Sequence, residues 1–298
     1  MIDLKASTIQ WNELNRKLSW CLWLFLLAII PVTSSPLVAG FSGGETPVSP
    51  LSVLPLGGLL VLWLIAGVLR GEKIPAIAWP LLAFILFSLL SSVFAFGLPL
   101  LPYKGSTLLT RSSRALLTLG IGVGFYWSAL SLPSSERKTI LSLRALYLGL
   151  LLMLIWSTVQ AWLVLNGSDQ FLLEVTQIHQ LFSVRDPLLD RVTGMSFEPS
   201  WLGGQLTVLY LPLLFSSVVR KRSVFTNKQT RFSVEFFFLL WGLFILLMTQ
   251  SRISFLGLLL VFGIVFTYLG FRLSKRIRAW MSSRGWLDAQ LLRKVFPL

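Results

Sequence analysis

The sequence predicts an all-α integral membrane protein with about eight transmembrane helices and both termini in the cytoplasm. Three observations predict this class. Hydrophobic residues make up 55% of the chain and charged residues only 13%, about half the charged fraction of an ordinary soluble domain. Apolar runs of membrane-spanning length recur from Leu18 almost to the end of the chain. Lysines and arginines lie mainly between those runs.

Eight apolar segments are candidates for the spans. Each approaches the roughly 20 residues that a helix needs to cross about 30 Å of hydrocarbon. Their apolar positions are continuous, whereas the strands of a membrane barrel alternate. In chain order the segments are residues 18–37, 51–69, 75–96, 108–130, 140–165, 200–219, 233–250 and 252–271. No internal repeat or flexible linker separates them, so residues 1–298 are predicted to form a single polytopic membrane domain.

The basic residues predict the orientation. With a cytoplasmic N-terminus, 20 of the 26 Lys and Arg residues fall on the inner side, as the positive-inside rule requires. The same placement accounts for the net charge of +14 without nucleic acid as a partner. Six basic residues remain on the predicted outer side: Lys104, Arg111, Arg114, Arg185, Arg191 and Arg252.

Two segments outside the spans differ in kind. Residues 166–198 form the predicted outer loop, where we interpret His179 as a surface residue because no metal-ligand spacing accompanies it. Residues 272–298 form a predicted cytoplasmic tail in which basic residues alternate with Trp and Leu. Such a tail is typical of an amphipathic helix on anionic lipid, although a solvated tail that only fixes topology remains an alternative. No motif for a metal or for any other cofactor is present.

The start of the sixth predicted span holds the first candidate site. Glu198-Pro199 is typical of a helix start, since proline is favoured in the first turn. Glu198 could serve only to offset the helix dipole. The glycines at 203 and 204 permit close backbone approach, however, and Arg191 lies seven residues upstream. We therefore interpret Glu198 as a carboxylate that orients a sugar hydroxyl or acts as a base, with Arg191 pairing with it or sharing its ligand.

The start of the eighth predicted span holds the second candidate site. Arg252 follows Ser251 in a tight outer turn and begins a long apolar helix. The helix N-terminus favours an anion there, and a guanidinium donates two parallel hydrogen bonds to a phosphate. We assign Arg252 to catalysis and Ser251 to substrate binding. The alternative is that Arg252 is an interfacial arginine that snorkels to headgroups.

Arg111 and Arg114 form a third candidate, near the outer end of the fourth predicted span. Their spacing of three places both on one helix face, where two like charges need water or an anion nearby. One interpretation is a phosphate-binding ledge for substrate. The other is that both side chains snorkel to outer headgroups.

The two helix starts resemble motifs of the O-antigen ligase/polymerase superfamily of bacterial membrane glycosyltransferases. The first motif, Arg-x-x-Gly-x-x-x-Glu-Pro, matches here at Arg191, Gly194, Glu198 and Pro199. The second, Thr-x-Ser-Arg, matches at Thr249, Ser251 and Arg252. About twenty residues carry the resemblance in detail.

The resemblance implies metal-independent transfer of a glycan from an undecaprenyl-pyrophosphate carrier, on the outer face of the bacterial inner membrane. A polymerase uses another lipid-linked glycan as acceptor, and a ligase uses the lipid A core. The family's arginines at these positions are thought to hold the donor's pyrophosphate, which agrees with the interpretation of Arg191 and Arg252. The implied partners are the lipid-linked glycan, the bilayer and other polysaccharide assembly proteins.

One departure from the family leaves alternatives open. Family members usually continue beyond the second motif, with further helices and a large outer loop that bears a functional histidine. This sequence stops at Leu298, and His179 precedes the first motif, so that role is not assigned to it. A shortened or non-catalytic fragment of a polymerase is therefore one alternative. Another is a transporter or flippase for an anionic or lipid-linked solute, although no repeat or broken midplane helix of the kind transporters use is apparent.

Overall fold

A computed structural model describes residues 2–41, 48–70, 76–96, 107–167, 169–226 and 233–283. These residues form eleven α-helices and no β-strand apart from isolated bridges, so the predicted all-α class is confirmed. The helices are α1 (Ile2–Ile29), α2 (Pro36–Phe41), α3 (Val53–Arg70), α4 (Trp79–Phe96), α5 (Leu108–Ser131), α6 (Glu136–Asn166), α7 (Asp169–His179), α8 (Pro199–Gln205), α9 (Leu211–Arg220), α10 (Val234–Met248) and α11 (Arg252–Ser283).

Helices occupy all eight predicted segments. Within the described residues, four helical stretches are long and apolar enough to cross a membrane: Trp79–Phe96, Glu136–Asn166, Pro199–Arg220 and Arg252–Met281. The apolar stretch Val53–Trp63 of α3 and the helix Val234–Met248 are shorter. The helix α11 continues through the first part of the predicted tail to Ser283, and residues 284–298 lie outside the described residues.

The most exposed apolar helix faces are the ones that lipid would cover. No residue of α4 is buried, and Phe87 and Phe94 are 71% and 75% exposed. Only 6% of the apolar window of α11 is buried. Soluble monomers rarely expose apolar surface on this scale. The helices therefore have the composition and the exposure that a membrane protein requires.

The first helix ends earlier than the apolar run predicts. The run was expected to be helical through residue 37, but α1 ends at Ile29 and the chain is non-helical up to α2. Pro31 explains the end of the helix, because a proline disfavours helical geometry in the residue before it. The backbone beyond it pairs instead with a neighbouring segment, since Ser35 N donates to Ser49 O at 2.8 Å.

The chain divides into two compact units. The first unit comprises residues 1–153 and 180–185. In it, α1 packs against α3, and α5 contacts both α3 and α4. Where α1 meets α6, a methyl group on Gly149 would overlap the carbonyl oxygen of Ala28. Nearby, the buried Trp23 Nε1 donates to Ser142 Oγ at 2.9 Å.

The second unit comprises residues 154–179 and 186–298. Its helices α8 and α9 are joined without a break by a π-helical turn, Leu206–Tyr210. Pro212 accounts for this turn, because its ring would clash with the carbonyl group of residue 208 in a regular helix and it has no N–H to donate. Leu211 N instead donates to Leu206 O, five residues back. This continuous helix packs against α11 and against α10.

Candidate functional site

The two motif segments lie side by side in the second unit. Val192 N donates to Met248 O at 3.0 Å, which attaches the first segment to the end of α10. The side-chain amide of Gln250 donates to Asp190 O at 3.2 Å. These two hydrogen bonds join the residues flanking Arg191 to residues almost sixty positions later in the chain. The segment of Arg191 and the turn before Arg252 are therefore held together.

The turn before α11 is tight because of its backbone geometry. Gln250 adopts a left-handed conformation with φ +48°, which for a residue other than glycine costs roughly 1–2 kcal/mol. The buried Thr249 Oγ1 donates to Leu246 O at 2.7 Å and so satisfies a carbonyl group at the end of α10. Ser251 is also buried, and Arg252 follows as the first residue of α11, with its side chain exposed.

The segment around Arg191 is anchored by the residues that follow it. Val192 and Thr193 are buried, at 0% and 1% exposure. The side chain of Arg191 is 45% exposed, and its Nε lies 2.9 Å from Asp190 Oδ2. The ion pair that the structure gives Arg191 is thus with its neighbour rather than with Glu198. A guanidinium has five N–H donors, so this single contact leaves most of them for another anion.

Glu198 stands at the N-cap position of α8. Its backbone is extended, with φ −135° and ψ 151°, and Pro199 follows as the first helical residue, as the sequence predicts. The carboxylate does not cap the helix. Its Oε2 instead accepts a hydrogen bond from Ser200 Oγ at 3.1 Å. Because the side chain is only half-buried, the carboxylate is accessible for a contact with a ligand.

Gly203 and Gly204 both permit close backbone approach because they lack a side chain, but their surroundings differ in the structure. A methyl group on Gly203 would overlap Ser254 Oγ and lie 2.6 Å from Ser254 Cβ, so α8 and the first turn of α11 touch at this point. A methyl group on Gly204 would meet nothing within 4 Å. Gly203 therefore brings the two helix starts together, and Gly204 does not.

Gln160 on α6 holds the backbone between Arg191 and Glu198, the two charged residues of the first motif. Its Oε1 accepts from Thr193 N at 3.0 Å and from Gly194 N at 2.8 Å. Its Nε2 donates to Gly194 O at 3.1 Å. Backbone N–H groups can only donate, so the end of the Gln160 amide that faces them must be the oxygen. Gly194 has φ +62°, in the left-handed region that glycine adopts without strain, so the motif glycine has a structural role here.

His179 is buried, which corrects its interpretation as a surface loop residue. It ends α7, a helix that lies inside the predicted outer loop, and it is 0% exposed. Its Nδ1 lies 3.1 Å from both Trp156 Nε1 and Gln160 Nε2. Both partners can only donate, so Nδ1 is an acceptor and the ring proton of neutral His179 is on Nε2. The imidazole also stacks on Trp156, with ring centroids 6.0 Å apart.

Sequence reasoning missed Gln160 and His179 as parts of the site. A signal for Gln160 was present, because an amide inside an apolar span is costly unless it is paired. His179 gave no such signal, because its burial depends on Trp156 and Gln160, which lie about twenty residues earlier in the chain.

The remaining predicted site residues belong to the first unit. Thr107 caps α5, with its Oγ1 accepting from Thr110 N at 3.3 Å. Arg111 and Arg114 therefore lie in the first two turns of α5, and both are exposed. No group of three metal-ligating side chains occurs in the described part of the chain.

Comparison with known proteins returned no matching family model, no similar curated protein and no similar solved structure.

Proposed function

We propose that the protein is a polysaccharide polymerase or ligase that takes glycan from a polyprenyl-pyrophosphate carrier at the outer face of a bacterial inner membrane. The observation that carries the proposal is the pairing of the two motif segments through Val192 and Gln250. Two arginines that the sequence separates by about sixty residues stand on adjacent segments, and both side chains are exposed. A pyrophosphate is a ligand with enough charge for both of them.

The proposed reaction is one displacement. The acceptor hydroxyl oxygen attacks the anomeric carbon of the donor glycan, and the bond from that carbon to the pyrophosphate oxygen breaks. The bonding electrons leave with the polyprenyl pyrophosphate, whose growing charge Arg191 and Arg252 neutralise. Glu198 orients the acceptor hydroxyl and takes its proton. Ser251 lies next to Arg252 in the same turn and is assigned to substrate binding.

The proposal includes the topology of the chain. All eight apolar segments span the membrane, both termini are cytoplasmic, and the residues of α7 and of the motif segments are on the outer side. Alkaline phosphatase fused after Gln177 is then expected to be active, and the same enzyme fused after Arg222 is expected to be inactive. The opposite pattern would place the motif arginines in the cytoplasm and exclude the proposed donor.

Conservative variants of the charged residues test the chemistry. Arg191→Lys and Arg252→Lys keep the charge but lose the planar fork, and Glu198→Gln keeps the shape but loses the base. In the organism with its own copy deleted, each is expected to shorten or abolish the surface glycan, while Arg137→Lys, at the exposed start of α6, restores it. Normal glycan length in all three variants would refute the proposal.

The same deletion strain distinguishes the proposed polymerase or ligase from the transporter alternative. A polymerase or ligase deletion leaves lipid-linked glycan units on the outer leaflet. Accumulation on the inner leaflet would instead support the flippase alternative. A wild-type chain that restores nothing by itself would support a non-catalytic fragment. Arg111→Lys and Arg114→Lys belong in the same series, because their assignment to substrate binding remains a prediction from the sequence.

A further inference from the structure

The first unit contains a cavity that is separate from both motif segments. It has a volume of about 280 Å³ and is lined by residues of α1, α3, α5 and the start of α6. A single water needs only roughly 15 Å³, so the cavity can hold a larger group. Its lining includes two cations, Arg16 and Lys138, and no Asp or Glu.

The cation on α6 is held at the cavity without a carboxylate. Lys138 is half-buried, and its Nζ donates to Ser134 Oγ at 3.2 Å. The same nitrogen lies 5.3 Å from the centre of the Trp20 ring, a distance at which a cation is attracted to the aromatic face. These contacts orient the ammonium group but do not neutralise it.

The cation on α1 also has no ion pair among the described residues. The nearest acidic residue on its helix, Glu13, pairs with Lys17 at 2.8 Å instead. The hydrogen bond and the charge of Lys17 lower the pKa of Glu13, with a smaller contribution from the charge of Arg16, so this carboxylate is ionised and its hydrogen bond is with Lys17. Arg16 therefore retains its guanidinium donors for an anion at the cavity.

Neutral polar side chains, among them Asn15, Ser19 and Ser131, also belong to the lining. The indole nitrogen of Trp127 is buried and has no hydrogen-bond partner in the described part of the chain. A buried donor left unpaired costs about 1–3 kcal/mol, but the burial of this nitrogen keeps it from a ligand in the cavity. The charged donors at this cavity are a guanidinium and an ammonium, which together suit the several oxygens of one phosphate.

The α3 side of the lining is apolar. Leu59, Leu60 and Trp63 of α3 belong to it, and the rings of Trp63 and Trp127 meet edge to face with centroids 5.1 Å apart. Tryptophans together with Lys and Arg are enriched at membrane–water interfaces. The cavity also lies near the end of α5 and the start of α6, as expected of residues at headgroup depth. A free phosphate has no group to place against this wall.

We propose that the cavity binds the headgroup phosphate of an anionic glycerophospholipid, with Arg16 and Lys138 around the phosphate. The α3 residues contact the glycerol and the first acyl carbons. This site is independent of the proposed glycan transfer, since none of the motif residues takes part in it.

Lipid binding to the purified full chain tests the proposal. Native mass spectrometry in a neutral detergent measures the dissociation constants of phosphatidylglycerol and phosphatidylcholine, and added glycerol 3-phosphate acts as competitor. We expect phosphatidylglycerol to bind tightly at one site, phosphatidylcholine to bind weakly, and glycerol 3-phosphate to compete poorly. The double variant Arg16→Gln with Lys138→Gln should weaken phosphatidylglycerol binding about tenfold or more, because bonds to charged groups are the strong ones.

Two further variants make the test specific. Arg137→Gln with Arg220→Gln removes the same charge from exposed positions that do not line this cavity, and it should bind phosphatidylglycerol like the wild type. Lys138→Gln by itself removes one of the two charges at the cavity, so it should weaken binding severalfold in a chain that still folds. Equal losses in both double variants, or wild-type binding without a preference for phosphatidylglycerol, would overturn the site. Glycerol 3-phosphate competing as well as the lipid would overturn the lipid assignment.

Discussion

The contact between Gly203 and Ser254 gives a prediction in which two adjacent glycines respond oppositely. In Gly203→Ala, the added methyl group overlaps Ser254 Oγ and comes within 2.6 Å of Ser254 Cβ. Rotating the serine side chain moves only the oxygen, so the two helices must separate. Overpacking of this kind typically costs about 1–3 kcal/mol. In Gly204→Ala the methyl group meets nothing within 4 Å, so no such penalty applies.

The difference between the two variants isolates the steric penalty. Alanine is better than glycine in a helix by roughly 0.5–1 kcal/mol, and both variants receive this gain. Gly204→Ala should therefore be neutral or slightly more stable than the wild type. Gly203→Ala should be less stable than Gly204→Ala by about 1–3 kcal/mol, which lowers the melting temperature by a few degrees.

The assay heats the purified chain and measures the fraction that remains monodisperse at each temperature, which gives the melting temperature. A second substitution tests the mechanism, because Ser254→Gly removes both overlapping atoms. The double variant Gly203→Ala with Ser254→Gly should recover most of the loss, with a coupling energy of about 0.5–3 kcal/mol. Equal melting temperatures for the two alanine variants, or no recovery in the double variant, would show that the two helix starts do not touch.

Three further predictions concern the contacts of the first motif and its surroundings. Gln160→Leu should lower stability by about 1–3 kcal/mol for each backbone group of Thr193 and Gly194 left unpaired, whereas the exposed Gln177→Leu should change the melting temperature little; similar melting temperatures would refute the amide's role. In ¹⁵N-histidine-labelled protein, the one histidine should show a proton on Nε2 and none on Nδ1, and the reverse tautomer would contradict donation from Trp156. In a Cys21→Ser background, a short bifunctional thiol reagent should join the two cysteines of the double variant Asp190→Cys with Gln250→Cys. Failure to cross-link would show that the motif segments do not lie side by side.

Length and composition made the helices predictable, because an apolar run of about 20 residues has few other solutions in a membrane. The early end of α1 was less visible, since it depends on Pro31 and on the pairing of Ser35 with Ser49. The helix α7 was missed because its residues are mostly polar. Its buried side, with Val175 and His179, is defined by partners elsewhere in the chain.

The site could be predicted only as residue types at two helix starts. The sequence could not distinguish Gly203 from Gly204, because the glycine that faces α11 depends on how the helix is rotated about its axis. An amide inside an apolar span marked Gln160 as a paired residue, but the sequence could not show that its partner is the backbone of Gly194. Such a contact joins residues 34 positions apart and depends on the packing of the unit.

The burial pattern around Arg191 separates residues that would act on a ligand from residues that hold the backbone. Val192 and Thr193 are buried and hydrogen-bonded, and they fix the position of the chain. The side chains of Arg191 and Arg252 extend from fixed backbone into exposed surroundings. Fixed charges lose little when they meet a developing negative charge, because they need not reorganise. Substitutions of the arginines should therefore reduce the proposed glycan transfer without lowering stability, and substitutions of Thr193 or Gly194 should lower both. Arginine variants that unfold the protein would mean that these charges support the fold instead of binding a substrate.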